Sequence, residues 1–112
     1  MPFFKIETNQ QLIDIENVVK NASGFVAALL NKPEQYVMIS VETDPKMMFG
    51  GSMAPTAFVQ LKSIGLPVDK CAHFSDKICR FMETELGVSP DRVFIDFQDL
   101  KGNMFGWNGK TF

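Results

Sequence analysis

The sequence predicts an α+β fold in which two pseudo-symmetric βαβ units form a four-stranded mixed sheet with two helices on one face. Two segments carry apolar residues at three- and four-residue steps, as a helix with one buried face does. Four other segments look extended, and the order strand, helix, strand occurs twice. A helix between two strands makes those strands parallel, with a right-handed crossover.

In the first half, we expect a strand over residues 2–7, a helix of about five turns, and a second strand over residues 36–42. Asn31 and Pro33 are stop signals at the end of the helix. The apolar stripe of this helix consists of Leu12, Ile15, Val19, Ala22, Val26 and Leu29.

In the second half, strands are expected over residues 57–64 and 92–98, on either side of the second helix. Asp69 suits the N-cap of that helix, and Gly87 suits its C-terminal end. Its apolar stripe consists of Cys71, Phe74, Ile78, Phe81 and Met82. Alternation in the last strand places Val93, Ile95 and Phe97 on one face and Phe94, Asp96 and Gln98 on the other.

The two halves superpose at an offset of 57 residues, which supports the repeat. Residues 32–35, Lys-Pro-Glu-Gln, fall on residues 89–92, Ser-Pro-Asp-Arg. The second face of the sheet mixes polar and aromatic side chains, so either water or a neighbouring subunit can cover it. The glycine-rich tail, with Phe105, Trp107 and Phe112, also needs a neighbouring subunit or a ligand to cover its aromatic rings.

Size and composition limit the classes of function. We expect residues 1–112 to form a single domain, because a second one would lack residues for its own core. The net charge of −2 gives no basic surface for nucleic acid. The longest apolar run, residues 25–30, is far shorter than the roughly 20 residues of a membrane span. The N-terminus turns polar too early for a signal peptide, so no membrane partner and a cytoplasmic location are predicted.

Other chemistry-bearing residues favour structural roles. Cys71 and Cys79 are interpreted as buried thiols, and with a single histidine the chain lacks the ligands of a structural zinc site. His73 lies outside the apolar stripe, so a surface imidazole is expected. Gly50-Gly51-Ser52 could suggest a phosphate cradle, but no Gly-Lys-Thr/Ser sequence follows, which favours a loop.

Pro2 is the candidate for catalysis. Removal of the initiator methionine before a small residue leaves a secondary amine at the start of the first strand. Apolar or cationic neighbours disfavour the charged form of that amine and lower its pKa. Such an amine can act as a general base.

Six motifs carry a resemblance to a known family: residues 1–4 (Met-Pro-Phe-Phe), 31–36 (Asn-Lys-Pro-Glu-Gln-Tyr), 49–52 (Phe-Gly-Gly-Ser), 63–65 (Ser-Ile-Gly), 89–93 (Ser-Pro-Asp-Arg-Val) and 106–108 (Gly-Trp-Asn). In order and spacing, the chain resembles the family of macrophage migration inhibitory factor and D-dopachrome tautomerase from residue 2 to residue 112.

The resemblance implies a homotrimer with an active site at each subunit boundary and no metal or organic cofactor. Pro2 matches the catalytic base of the family, and Lys32 matches the cation that pairs with the substrate carboxylate. The backbone N–H of Ile64 matches a further substrate contact, and Ser63 beside it is expected to bind substrate as well. The pocket positions, some donated by the adjacent subunit, correspond to Phe94, Asp96, Phe105, Trp107 and Phe112. From the residues alone, Lys32 is better explained as a partner of the last carbonyls of the first helix, residues 63–65 could be a strand end and a turn, and Trp107 could pack in the trimer.

The sequence also departs from the family pattern. The C-x-x-C of the vertebrate cytokine falls on Thr-Ala-Phe-Val at residues 56–59, which does not support thiol-oxidoreductase activity. A pocket tyrosine is replaced by Phe94 and a pocket asparagine by Asp96.

The first hypothesis for function is a keto–enol tautomerase acting on arylpyruvate-like 2-oxo acids, with the Pro2 amine as base. The alternative is a cytokine-like signalling or binding trimer with a vestigial tautomerase site. A third is a small-ligand sensor on the same scaffold. The resemblance also implies leaderless secretion and a possible receptor, which the sequence does not identify.

Overall fold

The computed structural model describes residues 1–112 and contains a four-stranded sheet, two helices and a C-terminal hairpin. The elements are β1 (Phe3–Thr8), α1 (Ile15–Leu30), β2 (Met38–Glu42), β3 (Ala57–Ile64), α2 (Cys71–Leu86), β4 (Val93–Leu100), β5 (Gly106–Trp107) and β6 (Lys110–Thr111). No helix is long and apolar enough to span a bilayer.

The strand order is β2-β1-β3-β4, with β1 antiparallel to β3 in the centre. β2 runs parallel to β1 and β4 runs parallel to β3, so each half is a βαβ unit. This arrangement confirms the predicted mixed sheet. β2 begins two residues later than expected, because Glu34–Tyr36 form a turn of 3₁₀ helix.

One core lies between the sheet and both helices. Phe4 and Ile6 of β1 and Val59 and Leu61 of β3 are completely buried in it. On the helices, the core residues are Val18, Ala22, Val26, Phe74, Ile78, Met82 and Leu86. A stacked pair of Phe25 and Phe81, with ring centroids 4.5 Å apart, joins the two helices over the sheet. Both helices therefore pack on the same face, as predicted.

The details of the helix boundaries differ from the prediction at two places. α1 begins only at Ile15, whose side chain is exposed, and the centre of its buried face runs through Val18 rather than Val19. Asp69 is not the N-cap of α2, because a 3₁₀ turn over Val68–Lys70 leads directly into that helix. The left-handed backbone of Asn31 and of Gly87 ends the two helices, as expected.

The Gly50-Gly51 segment is a two-residue turn, not a phosphate cradle. Both glycines have positive φ, and Phe49 and Ser52 hydrogen-bond to each other through their backbones at 2.9 and 3.1 Å. The guanidinium of Arg92 donates to the carbonyls of four residues of this loop at 2.9–3.2 Å: Phe49, Ser52, Ala54 and Pro55. These contacts confirm a loop that is fixed to the start of β4.

Candidate functional site

A cavity of about 390 Å³ surrounds the beginning of β1. We call it the N-terminal cavity; besides Met1 it is lined by Pro2, Phe3, Met38, Lys62, Phe105 and Trp107. Phe3 pairs with Met38 of β2 on one side and with Lys62 of β3 on the other. The sheet register therefore places an apolar side chain and an ammonium group on either side of the strand that carries Pro2.

The N-terminus is held in place rather than frayed. The side chain of Pro2 is fully buried, and its carbonyl accepts a hydrogen bond of 3.0 Å from the N–H of Met38. Burial lowers the pKa of the Met1 amine below its ordinary value of 8.0, and the positive charge of Lys32 lowers it further. The environment at the start of β1 thus disfavours the charged form of an amine.

Lys32 and Ser63 line a different cavity, of about 570 Å³, between the end of α1 and the start of α2. We call it the helix-side cavity; Lys70 and His73 also line it. The ammonium group of Lys32 donates to the carbonyl oxygen of Ile64 at 3.5 Å. In this chain Lys32 therefore contacts the end of β3 as well as acting electrostatically on the N-terminal amine.

The aromatic side chains of the tail pack on each other beside the N-terminal cavity. The rings of Trp107 and Phe112 stack with centroids 6.0 Å apart, and Phe105 lies 6.1 Å from Phe112. The N–H of Phe112 donates to Gly102, where a Cβ atom would lie 2.9 Å from the Phe112 carbonyl oxygen. Glycine is therefore needed at residue 102 for this close approach.

Phe94 and Asp96 lie far from Pro2 within one chain. Both are on β4, two strands away from β1, and Asp96 aligns with Lys5 through β3. Strand spacing and residue rise put Asp96 about 14 Å from Pro2. Phe94 is 61% exposed and packs against Phe49 with ring centroids 4.7 Å apart. The carboxylate of Asp96 accepts a hydrogen bond from Gln98 at 3.2 Å.

The structure thus brings Pro2, Phe105 and Trp107 together and separates them from the pair on β4. It also reveals two residues that sequence reasoning did not select. Lys62 lies in the N-terminal cavity, and the ring of Tyr36 meets Trp107 edge-on at 5.8 Å. The predicted elements also do not include the tail hairpin of β5 and β6, although the Asn108-Gly109 pair between these strands is a strong hairpin signal.

The two thiols are free and only half-buried. Burial raises the pKa of the Cys79 thiol, so its reactive thiolate is disfavoured. No group of three or more His, Cys, Asp or Glu side chains is arranged to hold a metal ion. His73 is exposed, as predicted.

Comparisons with known proteins identify the family of this chain. A sequence model of macrophage migration inhibitory factor (MIF) matches residues 1–112. The MIF homologue of Trichinella spiralis is 36% identical over 114 residues, covering 100% of both chains. That of Brugia malayi is 39% identical over 114 residues, covering 100% of this chain and 99% of the relative. The crystal structure of the MIF homologue from Prochlorococcus marinus is 36% identical, with a TM-score of 0.92 over 98% of both chains.

The likeness covers the four-stranded sheet, both helices and the C-terminal segment, since almost every residue of either chain is aligned. MIF proteins have the fold of the tautomerase superfamily, and the two βαβ units of this chain reproduce it. From its sequence and its fold together, the chain belongs to the MIF family.

Proposed function

We propose that this protein is a keto–enol tautomerase acting on arylpyruvate-like 2-oxo acids. The observation that carries the proposal is the position of Pro2, fully buried at the start of β1 in a mostly apolar cavity. Removal of Met1 exposes the secondary amine of Pro2 to the same burial and the same Lys32 charge that lower the pKa of the Met1 amine. A neutral amine in this place is a general base.

The proposed reaction moves one proton. The Pro2 nitrogen takes a proton from the carbon next to the substrate carbonyl, and the electron pair of that C–H bond forms the enol double bond. The π electron pair of the C=O bond moves onto the oxygen, which takes the same proton back from the Pro2 ammonium and completes the enol; the reverse sequence restores the ketone. A positioned base contributes about 10² to 10⁴-fold to such a step, and no redox partner is required.

Two ammonium groups support binding of the substrate carboxylate. The charge of Lys32 acts on the N-terminal amine, and Lys62 lies in the N-terminal cavity itself. Neither forms a salt bridge within the chain, so both charges are available to an anion. Phe105 and Trp107 provide apolar surface for the aryl ring of the substrate.

We further propose that the active unit is a homotrimer in which β4 of a neighbouring subunit completes the cavity. Within one chain, Asp96 is about 14 Å from Pro2, which is too far to share a small substrate. Phe94, Trp107 and Phe112 are 61, 47 and 48% exposed, and β2 and β4 are unpaired sheet edges. Exposed aromatic rings and free edges are typical of surfaces that another subunit covers.

The test is phenylpyruvate tautomerisation by protein whose N-terminus is verified by mass spectrometry. We expect Pro2→Ala and protein that retains Met1 to lose about 100-fold or more in kcat/KM. Pro45→Ala, in the loop after β2, serves as the matched control and should keep its activity. Because the base must be deprotonated, and we expect the pKa of the Pro2 amine to be lowered as that of the Met1 amine is, kcat/KM should rise with pH to a plateau with its midpoint below 8.0.

Other results would contradict the proposal. Full activity in Pro2→Ala, or in protein with Met1 in place, would exclude the Pro2 amine as base. A stable monomer at micromolar concentration in sedimentation would exclude the trimer. A trimer without measurable tautomerase activity would favour the non-enzymatic, cytokine-like binding role.

A further inference from the structure

The helix-side cavity has a one-sided charge. Its basic side chains are Lys32 from the end of α1 and Lys70 and His73 from the start of α2, and no acidic side chain lines it. Neither lysine forms a salt bridge with a carboxylate elsewhere in the chain. The side chains that line the cavity therefore carry a net positive charge, and the nearby carboxylate of Asp99 is engaged by the backbone N–H of Leu66 at 3.1 Å.

A buried hydroxyl lies in the wall of the same cavity. Ser63 is 1% exposed, and its Oγ is the one buried side-chain polar atom without a hydrogen-bond partner. The other two buried hydroxyls are satisfied, because Thr8 donates to the carbonyl of Thr56, and Thr56 donates to that of Arg92. A buried polar group without a partner is uncommon, and a ligand that accepts a hydrogen bond from this hydroxyl would satisfy it.

The first turn of α2 borders the cavity through Lys70 and His73. The N-cap residue, Lys70, makes no side-chain capping hydrogen bond, and no acidic residue lies in this first turn. The nearest carboxylate along the chain, that of Asp69, is exposed and does not line the cavity, so no acidic side chain in the cavity wall offsets the positive end of the helix macrodipole.

We propose that the helix-side cavity is a second binding site, specific for a phosphate group. The two ammonium groups complement the charge of a phosphate dianion, and the Ser63 hydroxyl donates to one of its oxygens. The imidazole of His73 carries an N–H donor in either protonation state. A volume of about 570 Å³ also accommodates a small organic group attached to the phosphate.

Binding at this site has a consequence that rests on the proposed function. Lys32 lines the helix-side cavity and is also the proposed partner of the substrate carboxylate. A phosphate that holds the Lys32 ammonium in the helix-side cavity withdraws it from the substrate. Phosphate should therefore raise the KM for phenylpyruvate and leave kcat unchanged.

The binding test uses the full-length protein and the signals of His73, the single histidine of the chain. Inorganic phosphate is added while the imidazole protons are followed by NMR, against sodium chloride at equal pH and ionic strength. We expect a saturable shift with phosphate. Lys70→Met and Ser63→Ala should each weaken the affinity about three- to tenfold. Lys77→Met, which removes an exposed charge from the same helix, is the matched control and should bind as the wild type does.

The source of the phosphate group is decided by repeating the titration with glycerol phosphate. Tighter binding than inorganic phosphate assigns the site to a phosphorylated metabolite, and equal binding assigns it to free phosphate. A shift that is no larger than with chloride, or equal affinity in Lys70→Met and the wild type, overturns the proposal.

The binding test needs no turnover, so it separates the two proposals. A wild type without tautomerase activity that still binds phosphate would contradict the proposed function alone. An active enzyme with no phosphate-induced shift would contradict the second site alone.

Discussion

Replacing Arg92 by lysine should destabilise the protein and loosen the loop before β3. The guanidinium donates four hydrogen bonds, to the carbonyls of Phe49, Ser52, Ala54 and Pro55, and lies 5.2 Å from the centre of the Phe49 ring. Lysine keeps the charge but lacks the planar fork, so about three of these bonds are lost.

The expected cost follows from the exposure of this site. The loss of each hydrogen bond costs only about 0.5–1 kcal/mol of stability, because the site is partly solvated and water can bond to the carbonyl in place of the guanidinium. Three lost bonds together lower the free energy of unfolding by about 1.5–3 kcal/mol. For a chain of 112 residues, this corresponds to a fall in Tm of about 6–12 °C.

Thermal unfolding followed by far-UV circular dichroism measures this effect, at one protein concentration because association changes the Tm. Arg80→Lys is the control: Arg80 forms an exposed pair with Asp76 at 3.2 Å, so its loss should cost about 0.5 kcal/mol or less. Amide hydrogen exchange at Phe49 and Ser52, which bond to each other, should accelerate only in Arg92→Lys. A Tm within about 2 °C of the wild type would refute the reasoning.

Three further predictions concern the site and the core. Asp96→Asn should raise kcat/KM for 4-hydroxyphenylpyruvate about 5- to 150-fold relative to phenylpyruvate. The reason is that an amide can donate a hydrogen bond to the substrate hydroxyl and a carboxylate cannot. An unchanged ratio of the two kcat/KM values would show that the Asp96 carboxylate does not limit activity. Lys62→Met should raise the KM for phenylpyruvate about tenfold, because the Lys62 ammonium would no longer bind the substrate carboxylate. An unchanged KM would assign carboxylate binding to Lys32 instead. A double-mutant cycle of Phe25→Leu and Phe81→Leu should show a coupling of about 0.5–1.5 kcal/mol from ring stacking in urea unfolding, whereas strict additivity would contradict it.

Local patterns in the sequence determined most of the architecture. The apolar stripes predicted both helices, because residues three and four apart share a helix face. Alternation in residues 93–98 predicted which side chains of β4 meet the core, and Val93, Ile95 and Phe97 do pack against it. The two helix-to-strand turns predicted the repeat and hence the mixed sheet. The sequence also indicates Pro2, because a proline at the start of a strand provides a secondary amine once Met1 is removed.

The tertiary structure decided which residues share a cavity. Lys62 adjoins Phe3 through the antiparallel register of β1 and β3, a pairing between residues 59 positions apart that no local pattern specifies. The Ser-Ile-Gly motif marks Ser63 in the sequence, but only packing leaves its hydroxyl buried without a hydrogen-bond partner in the same cavity as Lys32. Periodicity depends on neighbours along the chain, whereas a site depends on contacts between distant segments, and these arise only when the sheet closes against the helices.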